Sequence, residues 1–329
     1  MEKFRAIVVN SIGDEVKYEL KTVTADDLSE GEMLIKVAYS SVNYKDMLAV
    51  QKNGGVIRNY PMIPGIDLSG TVVSSTSEKL AVGEDVIVTG FDMGMTHTGG
   101  FSEYARVKAD WVVKLPENLS LEEAMIFGTA GFTAALSIIE LEKNGMSLEK
   151  NPKILVTGAT GGVGSIALQI LSKIGFTNVI ALVRKDYQIE LAKKIGANSV
   201  IHTDELADNK KPLSKPIFDF VLDTVGGETA SKLIPQISYG GSISMCGNAG
   251  GIGLNATVLP LILRGINILG IDSVNVPIED RGDIWDIMAN GWNITRATLV
   301  SEVSLETLPD TIEKLKNGQH LGRTIVKLS

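Results

Sequence analysis

The chain has 329 residues, of which 44% are hydrophobic and 21% charged, which is ordinary for a globular protein of about two domains. Its formal net charge of -8 disfavours nucleic acid and anionic lipid as general partners, and its single cysteine, Cys246, excludes an intramolecular disulfide and a cysteine-rich metal site. We expect a soluble cytoplasmic protein, because the chain shows no signal peptide and no uninterrupted apolar stretch of the ~18–20 residues that a membrane helix needs.

The first third of the chain alternates short apolar runs with glycine and polar turns. Residues 33–39 and 86–88, for example, have the composition of strands. This pattern predicts a compact, mostly β domain. Further on, Ser120 and Glu123 form a predicted capping box for a helix that starts at Leu121, and a second helix is predicted over 133–142.

From Lys153 onward, apolar strands alternate with helices. The predicted strands are 154–157, 179–183, 200–202, 218–223, 242–246 and 266–270. Predicted helices between them include 163–174 and 187–195. This alternation predicts an α/β domain with a doubly wound parallel sheet.

The last part of the chain changes character again. Residues 305–317 predict an amphipathic helix, and 324–328 predict a closing strand that could return to the first domain. The α/β domain would then be an insertion. We therefore expect residues 1–124 and 293–329 to form one domain, and residues 125–292 to form the other.

A glycine cluster follows the first of the parallel strands and opens a helix. It matches G-x-G-x-x-G imperfectly, because Ala159 stands at the first glycine position. Small residues let the backbone approach a diphosphate, and the helix N-terminus supplies free N–H groups. We predict a dinucleotide site made by Ala159, Thr160, Gly161, Gly162, Val163 and Gly164; the alternative is a glycine-rich turn with a structural role only.

The end of the second parallel strand indicates which nicotinamide cofactor is bound. An acidic residue there would bind a ribose 2′-hydroxyl, but this chain has Val183 followed by Arg184 and Lys185. Two cations suit a 2′-phosphate, which predicts NADPH as the cofactor; the alternative is that the pair forms a solvated turn. Asp186 is expected to cap the following helix.

Several segments carry a resemblance to a known family. They are residues 43–46, 63–70, 128–134 and 159–164, joined by 57–61, 110–111, 223–226, 270–273 and 322–324. Together they resemble medium-chain dehydrogenase/reductases of the quinone oxidoreductase class. They are most similar to the branch that includes acrylyl-CoA reductases and the YhdH/YhfP type, and the resemblance covers essentially the whole chain.

The resemblance implies a GroES-like β domain with an inserted Rossmann domain, and an active site in the cleft between them. It also implies a homodimer, and hydride transfer from NADPH to an activated C=C bond or a quinone. Zinc-dependent relatives have metal ligands where this chain has the run Asn43-Tyr44-Lys45-Asp46 and the run Gly65-Ile66-Asp67. The three histidines lack metal-ligand spacing, so we predict an enzyme without metal, in which Asp67 makes loop hydrogen bonds only.

Without a metal, a hydrogen-bond donor must stabilise the oxygen that becomes negative when hydride adds β to a carbonyl. Tyr44 is the candidate, as this donor or as the acid that protonates the α-carbon; the alternative is that it only lines the cofactor pocket. Tyr60 is the second candidate acid. Asn43 is predicted to orient the cofactor ribose or carboxamide, or else to hold a turn.

Loops after the later parallel strands should complete the cofactor site. At the carboxyl edge of the sheet these loops supply Thr224, Gly247, Asn248 and Ser273. Our leading hypothesis is an NADPH-dependent 2-enoyl thioester reductase acting on acrylyl-CoA, whose phosphates could meet Lys45, Lys52, Arg58 or Arg264. A quinone or enone reductase is the first alternative, and a non-catalytic, crystallin-like NADPH-binding module is the second.

Overall fold

The computed structural model describes residues 3–13, 15–206, 211–294 and 299–328. Their contacts define two compact units. The first comprises the described residues within Met1–Ala130, Ser273–Asn290 and Leu299–Ser329, and the second those within Gly131–Asp272 and Gly291–Thr298.

The strands and helices follow one another along the whole chain. The strands are β1 Phe4–Ile12, β2 Glu15–Val23, β3 Met33–Ser41, β4 Asp67–Ser75, β5 Asp85–Thr89, β6 Tyr104–Val107, β7 Val112–Lys114, β8 Ile154–Val156, β9 Val179–Val183, β10 Ser199–His202, β11 Phe218–Asp223, β12 Ile237–Met245, β13 Asn267–Gly270, β14 Val300–Val303 and β15 Arg323–Lys327. The helices are α1 Tyr44–Ala49, α2 Leu121–Lys143, α3 Gly162–Ile174, α4 Tyr187–Lys194, α5 Gly227–Leu233, α6 Leu259–Arg264, α7 Ile278–Ala289 and α8 Leu308–Lys316.

The first unit is built on a mostly antiparallel sheet. Its seven strands include the path β14-β15-β3-β4-β5-β7, and β6 also pairs with β3, while β1 and β2 form a separate hairpin. Alternate residues of β3, such as Met33 and Ile35, are buried in a core that also receives Leu308 and Ile312 of α8. Because β15 pairs antiparallel with β3, the tail returns to the first unit, as predicted.

The second unit contains a six-stranded parallel sheet in the order β10-β9-β8-β11-β12-β13. This is the doubly wound order, in which the chain reverses direction across the sheet between β8 and β11. Ligands of such sheets bind outside the carboxyl ends of the strands at that point. The predicted GroES-like and Rossmann architecture is confirmed by these two sheets.

One segment groups differently from the predicted domain division. Residues 273–290, which contain α7, lie with the first unit, whereas the sequence analysis placed them in the inserted domain. The cause is Arg281, which is fully buried and donates through Nη1 to the carbonyl oxygen of Thr89 at 2.8 Å. The other predicted boundaries remain predictions.

The two helices predicted near residues 121 and 133 correspond to the two parts of α2. They meet at Gly128, whose φ of 51° and ψ of -157° are not helical. The capping box is confirmed, because Ser120 N donates to Glu123 Oε2 at 2.8 Å and Glu123 N donates to Ser120 Oγ at 3.2 Å. Of the described residues, this helix alone is long and apolar enough to cross a membrane, but 83% of its apolar window is buried inside the protein, as in a core helix.

Candidate active site

The glycine-rich turn after β8 is shaped by close packing of its own backbone. Gly158 has φ +55°, and a Cβ there would collide with Thr224 Oγ1. A Cβ at Gly164 would collide with the carbonyl oxygen of Gly158. Gly161 is the N-cap of α3, so the first N–H groups of this 13-residue helix lack partners within the helix and are available to an anion.

Side chains join β8 to β11 at the point where the sheet order reverses. Thr157 Oγ1 donates to Asp223 Oδ1 at 2.7 Å and accepts from Thr224 N at 2.9 Å, while Thr224 Oγ1 donates to the carbonyl oxygen of Thr157 at 2.8 Å. Burial raises the pKa of Asp223, against the hydrogen bonds from Thr157 and Gly226. The predicted residue Thr224 is thus fixed beside the glycine-rich turn.

A buried glutamine connects the glycine-rich turn to the basic pair. Gln188 Nε2 donates to Thr160 Oγ1 at 2.8 Å, and Gln188 Oε1 accepts from Arg184 N at 3.0 Å and from Lys185 N at 3.1 Å. These bonds hold the loop that follows β9 against the turn that follows β8. Val183 is the buried last residue of β9, and the side chains of Arg184 and Lys185 are exposed.

The N-terminus of α4 differs from its prediction. Asp186 occupies the N-cap position, but its φ and ψ of -55° and -38° are helical, and its side chain makes no capping bond. Gln188 accepts the N–H groups of Arg184 and Lys185, which precede the helix, so it fixes the chain that leads into α4.

The loop after β12 packs backbone to backbone against the loop after β11. A Cβ at Gly247 would collide with the carbonyl oxygen of Thr224, and a Cβ at Gly226, where φ is +69°, would lie 2.6 Å from the carbonyl oxygen of Gly247. Asn248 follows in the exposed part of this loop. The predicted residues Thr224 and Gly247 therefore meet, and both line the edge of the sheet that carries the glycine-rich turn.

In the first unit, the carboxylate of Asp67 is the centre of a buried hydrogen-bond cluster. Its Oδ1 accepts from Ser41 N at 2.9 Å. Its Oδ2 accepts from Ser41 Oγ at 2.7 Å, from Asn43 Nδ2 at 2.8 Å and from Thr129 N at 2.9 Å. The predicted loop hydrogen bonds of Asp67 are confirmed, and the donors of the Asn43 amide are used within the protein.

Arg323 extends this cluster. Its Nη2 donates to Ser41 Oγ at 2.6 Å, and its Nε and Nη1 donate to the carbonyl oxygens of Ile126 and Val42 at 2.9 and 3.1 Å. Burial lowers the pKa of this guanidinium, while the carboxylates of Asp67 and Asp46 oppose that shift. Ser41 therefore bridges a buried cation and a buried anion.

Asp46, the third residue of α1, completes the cluster. Its Oδ2 accepts from Asn43 N at 2.8 Å, and its Oδ1 has no hydrogen-bond partner although it is buried. Burial, with the nearby charge of Asp67, raises the pKa of Asp46 to about 8. Burial therefore favours the neutral form of the Asp46 carboxyl group.

The two candidate acids differ in their surroundings. Tyr44 is the first residue of α1, directly after the anchored Asn43, and its side chain is 41% exposed. Tyr60 packs against the hydrophobic core of the first unit, and its hydroxyl lies 3.5 Å from the carbonyl oxygen of Ile57, too far for a strong hydrogen bond. Of the two phenols, that of Tyr44 is the more exposed.

Two residues named from the sequence have structural partners. The carbonyl oxygen of Ser273 accepts from Arg281 Nη2 at 3.2 Å within the first unit. Arg264, offered above for the phosphates of coenzyme A, donates through Nη1 to the carbonyl oxygens of Pro235 and Ile237 at 2.8 and 3.0 Å, and through Nη2 to that of Ser214. This guanidinium holds loops of the second unit together.

The residues at the zinc-ligand positions of relatives do not fit a zinc ion. Asp67 already accepts four hydrogen bonds, which use the roughly four acceptor sites of a carboxylate. A buried guanidinium shares Ser41 with it. Within the described ranges, no group of three or more His, Cys, Asp or Glu side chains could hold a metal ion.

Sequence reasoning missed Gln188, Thr157, Gly158 and Asp223 in the second unit, and Arg323 in the first. Asp223 and Gly158 were detectable in principle, because each directly ends or follows a predicted strand. Gln188 gave no signal, since its partner Thr160 lies 28 residues away. Arg323 lies in one of the segments that carry the resemblance, but its partner Ser41, 282 residues away, gave no sign of this contact.

Comparison with known families supports the architecture. Residues 29–117 match the family described as "Alcohol dehydrogenase GroES-like domain", and residues 162–290 match the family described as "Zinc-binding dehydrogenase". The second description belongs to the family as a whole and does not assign a metal to this chain.

Full-length relatives agree with these matches. The chain is 45% identical to Bacillus subtilis YhfP, named "Putative quinone oxidoreductase YhfP", over 99% of both chains, and the structure of YhfP with NAD bound superposes with a TM-score of 0.96. It is 39% identical to the acrylyl-CoA reductase AcuI of Ruegeria pomeroyi over 99% of both chains. The structure of Escherichia coli K-12 YhdH with bound NADPH is 40% identical, covers 98% of this chain and 100% of its own, and has a TM-score of 0.95. With the two sheets described above, these matches show that the chain is an oxidoreductase of the medium-chain dehydrogenase/reductase family.

Proposed function

We propose that this oxidoreductase uses NADPH to reduce an activated C=C bond, and that its substrate is a 2-enoyl thioester of the acrylyl-CoA type. One observation carries the cofactor half of this proposal. Gln188 binds both Thr160 in the glycine-rich turn and the backbone of Arg184 and Lys185, so two exposed cations stand next to a diphosphate-binding turn.

The residues at this edge of the sheet fit NADPH. The N–H groups at the start of α3 suit the diphosphate, and Arg184 and Lys185 suit a 2′-phosphate, which a carboxylate at the end of β9 would repel. Thr224, Gly247 and Asn248 line the same edge and would meet the nicotinamide half. When bound, NADPH supplies a hydride.

We propose that Tyr44 supplies the proton. The Tyr44 phenol donates its O–H proton to the α-carbon of the substrate after a hydride has added to the β-carbon, and the phenolate then regains a proton from water. The π bond of the C=C group is thereby lost, and each of its two carbons gains one C–H bond. The cluster of Asp67, Arg323 and Asp46 anchors Asn43 and so fixes the residue before Tyr44. We propose that no metal takes part.

The substrate class is argued from the relatives. AcuI of Ruegeria pomeroyi is an acrylyl-CoA reductase, and it is 39% identical over 99% of both chains. YhfP carries the name of a quinone oxidoreductase at 45% identity, which favours a quinone or an enone as the second candidate acceptor. Both reactions begin with the same hydride donor, so only the acceptor distinguishes them.

The test is the oxidation of NADPH, followed by its near-ultraviolet absorbance, with acrylyl-CoA, a simple enone and a quinone in parallel. We expect the highest kcat/KM with acrylyl-CoA. A clear preference for the quinone would replace the proposed substrate by the second candidate. Tight NADPH binding without turnover of any of the three would contradict reductase function on these acceptors and favour the non-catalytic module.

Tyr44→Phe tests the acid. General acids contribute roughly 10²–10⁴-fold, so we expect kcat to fall by about 100-fold or more, with little change in NADPH affinity. Tyr60→Phe is the matched variant for the second candidate and should leave kcat nearly unchanged. An unaltered kcat in Tyr44→Phe would exclude the proposed role.

We also propose that the protein is a cytoplasmic homodimer. In support, the edge strand β13 follows a segment rich in exposed apolar side chains. They are Ile252, Leu254, Val258, Leu261, Ile262 and Leu263. Exposed apolar side chains and an open sheet edge are features of surfaces that a second copy of a chain covers. Light scattering should give twice the mass of 35.2 kDa, and Ile262→Asp should shift the population toward monomer.

A further inference from the structure

We propose that Gln188 is the positioning residue that sets the preference of this protein for NADPH over NADH. The inference rests on the proposed cofactor, and it concerns a residue that would not itself touch the 2′-phosphate. It would act through the loop that carries Arg184 and Lys185.

The side-chain amide of Gln188 has one arrangement that satisfies all of its neighbours. Two N–H donors, from Arg184 and Lys185, point at one end of the amide, so that end must be the oxygen. The nitrogen then faces Thr160 Oγ1 at 2.8 Å. Gln188 is 9% exposed, so these bonds lie largely out of water.

This arrangement determines which groups remain for the cofactor. The backbone N–H groups of Arg184 and Lys185 are used by Gln188, so a 2′-phosphate must be recognised by the guanidinium and ammonium groups. Thr160 Oγ1 accepts from Gln188, so its own hydrogen is free to be donated to the diphosphate. One neutral side chain therefore orients both phosphate-binding elements.

Holding the basic loop in place before binding matters more for NADPH than for NADH. Long cationic side chains lose conformational freedom when they grip a phosphate, and a loop that is already fixed has less to lose. NADH has no 2′-phosphate, so it gains little from the fixed loop. Loss of Gln188 should weaken both cofactors through Thr160, and NADPH more through the loop.

The experiment measures the dissociation constants of NADPH and NADH for the full chain and for Gln188→Leu. Leucine is similar in size and removes every hydrogen bond of the amide. We expect NADPH to weaken by about tenfold more than NADH, so that the ratio of the two constants moves toward one. Adenosine 2′,5′-bisphosphate and AMP serve as additional probes, because they differ by the 2′-phosphate and lack the nicotinamide.

Gln188→Glu is a second variant that does not depend on leucine being tolerated. A glutamate can still accept from Arg184 N and Lys185 N. Its second oxygen would accept a hydrogen bond from the Thr160 hydroxyl, and its negative charge would lie next to the basic pair. We expect both cofactors to weaken through the loss of the Thr160 donor, and NADPH to weaken further because the added charge repels its 2′-phosphate. An unchanged ratio in this variant would mean that the 2′-phosphate does not bind near Gln188, and would overturn the inference.

Gln169→Leu is the matched control. Gln169 has the same side chain in the neighbouring helix α3, where its Nε2 donates to the carbonyl oxygen of Ser165 at 2.9 Å. We expect its ratio of NADPH to NADH affinity to equal that of the unaltered chain. An equal shift in Gln169→Leu and Gln188→Leu would show a general effect of destabilisation and would also overturn the inference.

The two levels of the proposal can fail separately. If the unaltered chain binds NADPH no more tightly than NADH, the proposed cofactor preference fails. If the unaltered chain prefers NADPH and both Gln188 variants keep that preference, the proposed function stands and the role of Gln188 is wrong.

Discussion

The loops around the glycine-rich turn and the loops around Asp67 are both held by networks of polar groups, but the two networks use different chemistry. In the second unit, neutral groups hold the loops: glycine backbones in contact, the Thr157 hydroxyl and the Gln188 amide. In the first unit, a buried cation, Arg323, and a buried anion, Asp67, hold the start of α1. Apart from Asp223, the groups named here that hold the loops around the glycine-rich turn are uncharged. The cofactor phosphates that these loops are proposed to bind carry several negative charges.

This comparison also separates what the sequence predicts from what it does not. The strands β9 and β11 were predicted with their observed bounds, because β9 is a continuous apolar run and β11 is a mainly apolar run that ends at Asp223. The glycine cluster and the basic pair were likewise predicted, since each is local in sequence. The cluster around Asp67 was not, because it joins residues from opposite ends of the chain.

Close contacts at two glycines explain local features of the helices and strands. Gly128 separates the two parts of α2, and a Cβ there would come within 2.5 Å of Ser41 Oγ and 2.7 Å of Arg323 Nη2. Strand β12 was predicted to start at Ser242 and starts at Ile237. Gly240 and Gly241 look like a turn, yet Gly241 is needed because a Cβ there would collide with the carbonyl oxygen of Asp219.

The largest effect is expected from breaking the buried charge pair. Asp67→Asn keeps the shape of the side chain, but it leaves Arg323 buried without its anion and turns an N–H₂ group toward other donors. Loss of one partner of a buried pair costs roughly 3–5 kcal/mol, which urea unfolding would measure. Glu84→Gln, which breaks the surface contact between Glu84 and Lys114, should change the free energy of unfolding far less. Equal effects would contradict the special role of the cluster.

A smaller effect is expected from disturbing the backbone packing of the second unit. In Gly164→Ala, the new methyl group meets the carbonyl oxygen of Gly158, and such overpacking costs about 1–3 kcal/mol. NADPH should also bind more weakly, because the start of α3 must move. Gly282→Ala is the control, since no heavy atom lies within 4 Å of its added Cβ and it sits in a helix. It should be neutral or stabilising.

The pH dependence of stability gives a third contrast. The pKa of Asp46 is raised from 3.8 to about 8 in the folded chain, so the folded state holds one more proton than the unfolded state between these values. The contribution of this group to the free energy of unfolding is then fully present below the lower value, and it falls as the pH rises toward the upper one, by up to about 1.4 kcal/mol per pH unit. Asp46→Asn should flatten this slope in urea unfolding at several pH values. If the slope remains in Asp46→Asn, groups other than Asp46 cause it.

The central claim is that a diphosphate binds the turn after β8 while Arg184 and Lys185 bind an additional phosphate on the adenosine. Titration of Arg184→Ala with NADPH and with NADH tests it most directly. The account predicts that NADPH weakens by about tenfold, as expected for the loss of one charged hydrogen-bonding partner, while NADH changes little. Equal weakening of both cofactors, or no weakening of either, would contradict it.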